Sequence, residues 1–478
     1  MSLPRKIFNN TLIQAIGKIA STGLNLVAFA FMTRELGQSG FGEYTTVITF
    51  LSFFAIIADL GLTLVTVQMI NSDKDNENKI LGNLFGLRLV SALLFIGLAP
   101  AIVLLFDYSD GIKLGVLIAA ASFFFTALNQ IMVGLFQSRL KMNRVVWAEV
   151  ISRFILIVAV ILAIKYQWGL NGMLAATTIA SFSSFILHFY FARKFANIKP
   201  LFNLTWWLKI TNLSWPLAIT IAFNLIYLRA DILILSLIKT PAEVGLYGAA
   251  YKIIDVLSSL PFMFAGVILP LLVLAWQKKD LLKFKKILQG SFDVLALVAI
   301  PIVVGTQFLA NDIIILIAGP DFIAAGMILR VLILAVAAIF LGNMMSHAVV
   351  AIGAQKKVIW IYVFTSLSSL LAYLIFIPRF SYFGAAAVTI YSEVTIAVLS
   401  TIFIYRKLHI KVNLIVLSKS VIASLLMGLI LWLLPTNLYQ NFLGLSATIL
   451  LAIISYTSFL WIFRAFNKED MKLILNKQ

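Results

Sequence analysis

Residues 11–33 read TLIQAIGKIASTGLNLVAFAFMT, an apolar run of the length that crosses a bilayer. One face of the corresponding helix carries small or polar residues spaced three or four positions apart: Gln14, Gly17, Lys18, Ser21, Thr22 and Asn25. An ammonium that faces lipid inside a membrane span costs roughly 2.5–3.5 kcal/mol, so we expect Lys18 to face protein or a water-filled cavity. The run therefore predicts a membrane protein with a hydrated interior.

The whole chain has the composition of a membrane protein. Of its 478 residues, 62% are hydrophobic and 12% are charged, and the mean hydropathy is +1.03. Apolar runs of about 20 residues recur from end to end, which is typical of an all-α polytopic membrane protein and excludes a β-barrel of short alternating strands. We predict about fourteen transmembrane helices, at residues 11–33, 44–69, 81–106, 112–138, 145–164, 170–192, 210–236, 244–276, 290–308, 322–353, 358–377, 383–405, 416–434 and 442–463.

The net charge of +18 follows from topology rather than from nucleic-acid binding. When the loops are assigned alternately to the two sides, about 25 of the 37 Lys and Arg residues fall on the side that holds both termini. The positive-inside rule makes this side cytoplasmic. The basic excess also favours contact with anionic membrane lipids, and we expect no nucleic acid as a partner.

Weak internal similarity predicts two copies of a six-helix unit. Gly42-Glu-Tyr44 reappears 203 residues later as Gly245-Leu-Tyr247, and Val146-Trp147 reappears 213 residues later as Ile359-Trp360. Six is an even number of spans, so both copies have the same orientation and are related by an axis along the membrane normal. We predict an N-lobe at 1–195, a cytoplasmic linker at 196–209, a C-lobe at 210–410, and two extra helices with a short basic tail at 411–478.

Polar side chains concentrate on the first two spans of each predicted lobe. Four such helices facing one another would enclose a central cavity between the lobes. The candidate substrate-binding residues are Lys18, Asn25, Arg88, Asn224, Arg229 and Lys252. Asp59 and Asp255 are the candidates for ion coupling, because carboxylates inside a membrane span commonly mark ion or proton pathways.

Several of these residues have a structural alternative. Lys18 could extend its side chain to the cytoplasmic surface instead of facing a cavity. Asp59 could be the partner of a basic group on another helix. Glu149 and Arg153 lie four residues apart on span five, and for these two residues a structural ion pair is the favoured interpretation.

The sequence does not favour an enzyme. It has no phosphate-binding glycine loop, no soluble domain that could hold a nucleotide, and no large outer loop rich in carboxylates and arginines. The three His residues are scattered and Cys is absent, so we expect no metal site, no disulfide and no cofactor. No residue is assigned a catalytic role.

Several short motifs are shared with one family of transporters. The first half has a basic start, then Arg34-Glu-Leu-Gly37, Phe41-Gly-Glu-Tyr44 and Ala58-Asp-Leu-Gly-Leu62, and the second half has Ala318-Gly-Pro-Asp-Phe322 followed by Leu329-Arg-Val-Leu332. With these motifs the chain resembles, over nearly its whole length, the polysaccharide transporter family. These are the Wzx-type oligosaccharide flippases of the multidrug/oligosaccharidyl-lipid/polysaccharide exporter superfamily. The resemblance implies two six-helix lobes around a central cavity, with alternating access.

The same resemblance implies a cargo. It would be an oligosaccharide linked to polyprenyl pyrophosphate, flipped to the outer leaflet of a bacterial cytoplasmic (inner) membrane for O-antigen, capsule or exopolysaccharide biosynthesis. Lys18, Arg88, Arg229 and Lys252 would then suit the pyrophosphate or acidic sugars by charge pairing. Glycan polymerase and glycosyltransferases of the same pathway would be its protein partners.

Three alternatives stay open at this point. A lipid II flippase has the same number of spans, with a groove for the lipid tail on the last two helices. A proton- or sodium-coupled exporter of drugs or organic cations shares the expected fold, although such an exporter predicts a more acidic cavity. A scaffold of a glycan-assembly complex would need no transport, but it would also have no reason to keep polar faces inside the membrane.

Overall fold

Helices account for nearly all of the structure. The computed structural model describes residues 3–72, 76–435, 439 and 441–465. Within these residues there is no β-strand, and the α-helices are α1 (Leu3–Asp59), α2 (Leu62–Ser72), α3 (Glu77–Ile102), α4 (Asp110–Ser138), α5 (Met142–Lys165), α6 (Gly169–Ala192), α7 (Leu204–Ile238), α8 (Pro241–Gln277), α9 (Leu281–Ala318), α10 (Ala324–Ala351), α11 (Gln355–Leu408), α12 (Ile415–Leu433) and α13 (Phe442–Ile462). In the described part of the chain, eleven helices are long and apolar enough to cross a membrane. The predicted class, an all-α polytopic membrane protein, is confirmed.

Two of these helices contain two spans each. α1 breaks at Gly37, where φ is 61°, and α11 breaks at Ser381, where φ is 50°. The rings of Phe29 and Phe41 lie 5.3 Å apart across the first break, whereas a straight helix would separate their Cα atoms by about 18 Å. Spans one and two therefore both begin on α1, spans eleven and twelve both lie on α11, and span seven lies on α7. Every predicted span thus coincides with helical residues.

Span two differs from its prediction. It was expected to run unbroken from 44 to 69, but the helix ends at Asp59 and restarts at Leu62. Leu60 and Gly61 have φ values of 48° and 74°, which lie in the left-handed region. Glycine adopts this conformation without steric cost, so Gly61 is the local reason that the break can form here.

The predicted linker at 196–209 is an ordered part of the structure. Leu201 N donates to Gly82 O at 2.9 Å, and Asn203 N donates to Asn83 Oδ1 at 3.1 Å. A Cβ on Gly82 would lie 2.6 Å from the carbonyl oxygen of Lys199, so the segment lies too close to α3 for a larger residue. The segment is therefore fixed along α3 by backbone contact.

The chain forms two compact units, residues 1–248 and 249–478. The first unit contains α1–α7 and the start of α8, because α7 packs against α1, α2 and α3. The unit boundary thus falls after α7 rather than in the 196–209 segment. The division into lobes at 196–209 stays a prediction about the repeat.

Equivalent contacts recur in the two units at the predicted offsets. In the first, a Cβ on Gly172 would lie 3.0 Å from the Ala163 Cβ, and in the second, a Cβ on Gly384 would overlap the carbonyl group of Phe376. Both glycines allow the two helices of a hairpin to approach closely at matched positions, 212–213 residues apart. These contacts support the predicted repeat, whose full layout stays a prediction.

Candidate functional site

The break in span two contains a buried ion pair. Asp59 ends α1, and its Oδ1 lies 2.6 Å from Nη2 of Arg88 on α3. The Arg88 side chain is 3% exposed and that of Asp59 is 12% exposed. Thr63, in the first turn of α2, donates its hydroxyl to the same carboxylate oxygen at 2.6 Å. The carboxylate therefore links both sides of the break to α3.

The remaining donors of Arg88 bind backbone carbonyls. Its Nε donates to Ala127 O on α4 at 2.9 Å, and its Nη1 donates to Ala58 O at 3.3 Å. The hydroxyl of Ser91 also donates to Ala58 O, at 2.8 Å. A helix that stops inside a membrane leaves carbonyl groups without partners, and each such group costs several kcal/mol if it stays unpaired. Arg88 and Ser91 satisfy Ala58 and thereby hold the broken helix against α3.

This arrangement bears on two of the predicted site residues. The structure brings Asp59 and Arg88 together, and in this conformation each is the main charged partner of the other. The structural alternative for Asp59, a basic partner on another helix, describes what is observed. The roles of Arg88 in substrate binding and of Asp59 in ion coupling stay predictions, and both would require this pair to open.

The polar face of span one has two edges. On one edge Gly17 packs directly on Val146 of α5, and Ser21 is buried, with its hydroxyl donating to Gly17 O at 2.7 Å. On the other edge the Lys18 side chain is exposed. The prediction that Lys18 faces a hydrated cavity is not decided by this exposure and stays a prediction.

Asn25 lies further along span one and contacts α5. Its Oδ1 accepts a hydrogen bond from Nη1 of Arg153 at 3.4 Å. No ion pair joins Arg153 to Glu149 in the described part of the chain, so the interpretation of these two residues as a structural ion pair is wrong. The Arg153 guanidinium reaches α1 instead, because Asn25 offers it an acceptor across the helix interface.

A second polar group lies between α7 and α8 in the first unit. Asp231 is fully buried, and its Oδ2 accepts a hydrogen bond from the Tyr247 hydroxyl at 2.7 Å. Tyr108, in the loop between α3 and α4, shares a hydrogen bond of 2.8 Å with Ser236. Partial burial raises the pKa of Tyr108, so its hydroxyl stays protonated at physiological pH.

The other predicted site residues lie on α7 and α8. Arg229 is half-buried on α7, and Lys252 and Asp255 are half-buried on α8, in the second unit. The Asn224 side chain lies outside the described residues. No group of three or more metal-ligating side chains occurs among the residues that the structure describes.

One embedded acidic residue was not singled out by the sequence. Glu393 lies on the second half of α11 and is 8% exposed. It shares one buried helix face with the small polar residues Thr389, Ser392 and Ser400. The sequence signal that could have identified Glu393 is that it is the one acidic residue of spans ten to twelve.

Solved structures of transporters share this fold. Lipid II flippase MurJ in an inward closed conformation superimposes with a TM-score of 0.79 at 20% identity, covering 94% of this chain and 98% of that chain. The inward-facing conformation of a multidrug resistance MATE family transporter of the MOP superfamily gives a TM-score of 0.66 at 13% identity, covering 84% and 98%. The chain therefore has a MurJ- and MATE-like fold.

The family follows from the sequence. A family profile described as "Polysaccharide biosynthesis protein" matches residues 7–276, more than half of the chain, and the chain belongs to this family. A Shigella flexneri protein named "Putative O-antigen transporter" is 23% identical over 325 residues, which cover 62% of this chain and 73% of that protein. The resemblance seen in the motifs is confirmed.

Proposed function

We propose that this protein flips an oligosaccharide linked to polyprenyl pyrophosphate from the cytoplasmic to the outer leaflet, by alternating access. It would act in a bacterial cytoplasmic (inner) membrane, with both termini in the cytoplasm, and supply O-antigen, capsule or exopolysaccharide biosynthesis. The observation that carries the proposal is the family match over residues 7–276. The O-antigen assignment of the Shigella flexneri relative and the flippase fold support it.

The predicted binding residues would act in sequence. Lys18, which is exposed beside the face that packs on α5, would meet the pyrophosphate first. Arg229 and Lys252 would add positive charge, and the amides Asn25 and Asn224 would hydrogen-bond sugar hydroxyls. No covalent bond needs to change, so the proposed process requires neither a catalytic residue nor a cofactor.

The break in span two gives the proposal a moving part. When the lobes rock, Arg88 could move from Asp59 to the anionic headgroup, while Asp59 takes up a proton or a cation. Asp255 on α8 is the matching candidate for coupling. Discontinuous helices recur at the substrate sites of transporters because their free backbone groups and charges can change partners there.

The test is the double variant Lys18→Ala/Arg229→Ala in a strain that depends on this protein for its surface polysaccharide. We expect at least about tenfold less surface glycan, the loss of one charge-assisted contact being worth about 1.5–3 kcal/mol. The matched control is Lys113→Ala/Lys165→Ala, which removes two positive charges near the ends of α4 and α5. Full export by the first double variant, at equal protein levels, would end the proposal of a cationic binding site.

Two other cargoes have support from the comparisons. A lipid II flippase is favoured by the MurJ-like fold, and a proton- or sodium-coupled exporter of organic cations by the MATE-like fold. Restored growth of a strain depleted of its lipid II flippase would identify the first function. Drug resistance without glycan export would identify the second.

The proposed cargo also defines the expected partners. Membrane lipids surround the spans, and the glycosyltransferases and glycan polymerase of the pathway would make and consume the lipid-linked oligosaccharide. Co-purification with such enzymes would agree with the proposal, but the export assay decides it.

A further inference from the structure

Glu393 lies deep in the membrane part of the second unit. It follows the break at Ser381 by twelve residues of helix, which corresponds to a distance of about 18 Å from the turn. The hydrocarbon layer is about 30 Å thick, so the carboxyl group is near its centre. Only 8% of the residue is exposed.

No permanent positive charge lies at this depth on α10 or α11, both of which the structure describes throughout. α11 packs on α10 and folds back on itself, and Glu393 is the one carboxylic acid of α10 and α11. The basic residues of both helices lie near the helix ends or, for Arg379, at the break in α11: Arg330, Lys356, Lys357, Arg379, Arg406 and Lys407. The other titratable side chains on these helices are one imidazole and five phenols, none of which carries a permanent positive charge: His347, Tyr362, Tyr373, Tyr382, Tyr391 and Tyr405.

One titratable neighbour of Glu393 is a phenol. Tyr362, on the first half of α11, is close enough to interact electrostatically with Glu393, and its own hydroxyl is hydrogen-bonded to Ser346 of α10. In the described part of the chain, Glu393 forms no ion pair. Buried oxygens of Asn343, Thr365 and Ser369 on the same two helices also have no hydrogen-bond partner in the structure.

An ionised carboxylate in this environment is strongly unfavourable. Removing an isolated charge from water costs far more than removing a neutral carboxylic acid, and a group without a charged partner becomes neutral instead. Arg88 provides such a partner for Asp59 in the first unit, whereas α10 and α11 place no guanidinium at the depth of Glu393. A bound proton is the simplest way to satisfy the site.

We propose that Glu393 is a proton-binding site in the middle of the second unit, occupied in this conformation and emptied when α10 and α11 admit water. The proton binds one carboxylate oxygen and leaves to water, so no other reactant is needed. Its use to drive transport rests on the proposed function, whereas the site itself does not.

The test compares thermal unfolding in detergent of the wild type, Glu393→Gln and Glu149→Gln from about pH 6 to about pH 9. In the folded wild type Glu393 holds a proton that the unfolded chain releases, so stability should fall as the pH rises. The unfolding equilibrium constant should increase by up to about tenfold per pH unit. Gln resembles the protonated acid, so Glu393→Gln should lose this pH dependence, while Glu149→Gln, in the first unit, should keep it.

Two outcomes would overturn the proposal. One is an equal pH dependence in Glu393→Gln and the wild type, which would mean that Glu393 does not change protonation on unfolding. The other is stabilisation at high pH by sodium chloride, but not by choline chloride, that occurs in the wild type and is lost in Glu393→Gln. This result would identify a sodium site instead. Neither result depends on the cargo, so failure here would leave the proposed flippase function intact.

Discussion

A close crossing of two helices in the first unit gives the sharpest prediction. Gly42 of α1 and Gly245 of α8 face each other, and a Cβ added to either would lie 3.0 Å from the backbone nitrogen of the other. A Cβ on Gly42 would also overlap the carbonyl group of Pro241, and one on Gly245 would overlap that of Gln38. We predict that Gly42→Ala forces this crossing apart.

The size of the effect follows from these overlaps. The atoms that obstruct the new methyl group are backbone carbonyls, which cannot rotate away as a side chain does. The two helices must therefore separate by on the order of 1 Å, and overpacking that cannot relax costs about 1–3 kcal/mol. A cost of about 2 kcal/mol lowers the population of the closed crossing roughly 30-fold relative to open forms.

Disulfide formation can measure the closed crossing directly. The chain has no native cysteine, so an introduced pair reports without background. The Cβ of Thr45 lies 3.4 Å from the position of a Cβ on Gly248, close to the usual separation of about 3.8 Å in a disulfide. Thr45→Cys/Gly248→Cys should cross-link rapidly under mild oxidation, and adding Gly42→Ala should slow the reaction by tenfold or more.

The control is Gly97→Ala on α3, where an added Cβ meets no atom within 4 Å. This variant makes the same chemical change in a membrane helix and should leave the cross-linking rate unchanged. Equal rates in the Gly42→Ala and Gly97→Ala backgrounds would refute the crossing as described. So would slow cross-linking in the parent pair, because the two Cβ positions would then not be adjacent.

Three other predictions follow from single contacts. Arg88→Ala should destabilise the protein by about 3–5 kcal/mol in thermal unfolding, since Asp59 loses its buried partner. Arg88→Ala combined with Asp59→Ala should recover part of the loss, and strictly additive effects of the two substitutions on stability would contradict a direct ion pair. Gly86→Ala should displace the 197–203 segment, because the new Cβ would overlap the Leu201 carbonyl. Proteolysis within that segment should become faster, and an unchanged digestion rate would argue against the backbone contact. Tyr456→Phe should cost about 1–3 kcal/mol, because the hydroxyl that joins α13 to Leu297 O of α9 at 2.8 Å is lost, and an unfolding midpoint equal to that of wild type would refute this role.

Much of the architecture could be predicted because a membrane limits the choices. Every span must satisfy its own backbone, so an apolar run of sufficient length predicts a helix without knowledge of its neighbours. For the same reason, a carboxylate at mid-span predicts a partner or a function. Asp59 fits that logic, and the alternative of a basic partner on another helix matches the observed contact with Arg88.

The features that were not predicted depend on contacts between distant residues. Whether Leu60 and Gly61 interrupt span two depends on a donor for Ala58 O, and Arg88 provides it from another helix. Similarly, Arg153 has a nearby carboxylate in its own helix but uses Asn25 of α1. Sequence spacing describes one helix at a time and cannot rank such competing partners.

The glycine crossing connects the internal repeat to the motion that the proposed transport would require. With the offset of 203 residues, Gln38 corresponds to Pro241 and Gly42 corresponds to Gly245. The contact of Gln38 with Gly245 and the contact of Pro241 with Gly42 are therefore the same contact made twice. Two copies of one helix produce such reciprocal contacts when a two-fold axis passes between them. At Gly42 and Gly245 the contacting atoms belong to the backbone, so no side chain of either glycine has to disengage there when the helices separate. If the crossing is the closed gate of the outer side, as the predicted topology places it, Gly245→Ala should slow cross-linking of the cysteine pair as strongly as Gly42→Ala. Unequal effects of the two substitutions would show that the contact is not symmetric and that the axis does not pass through it.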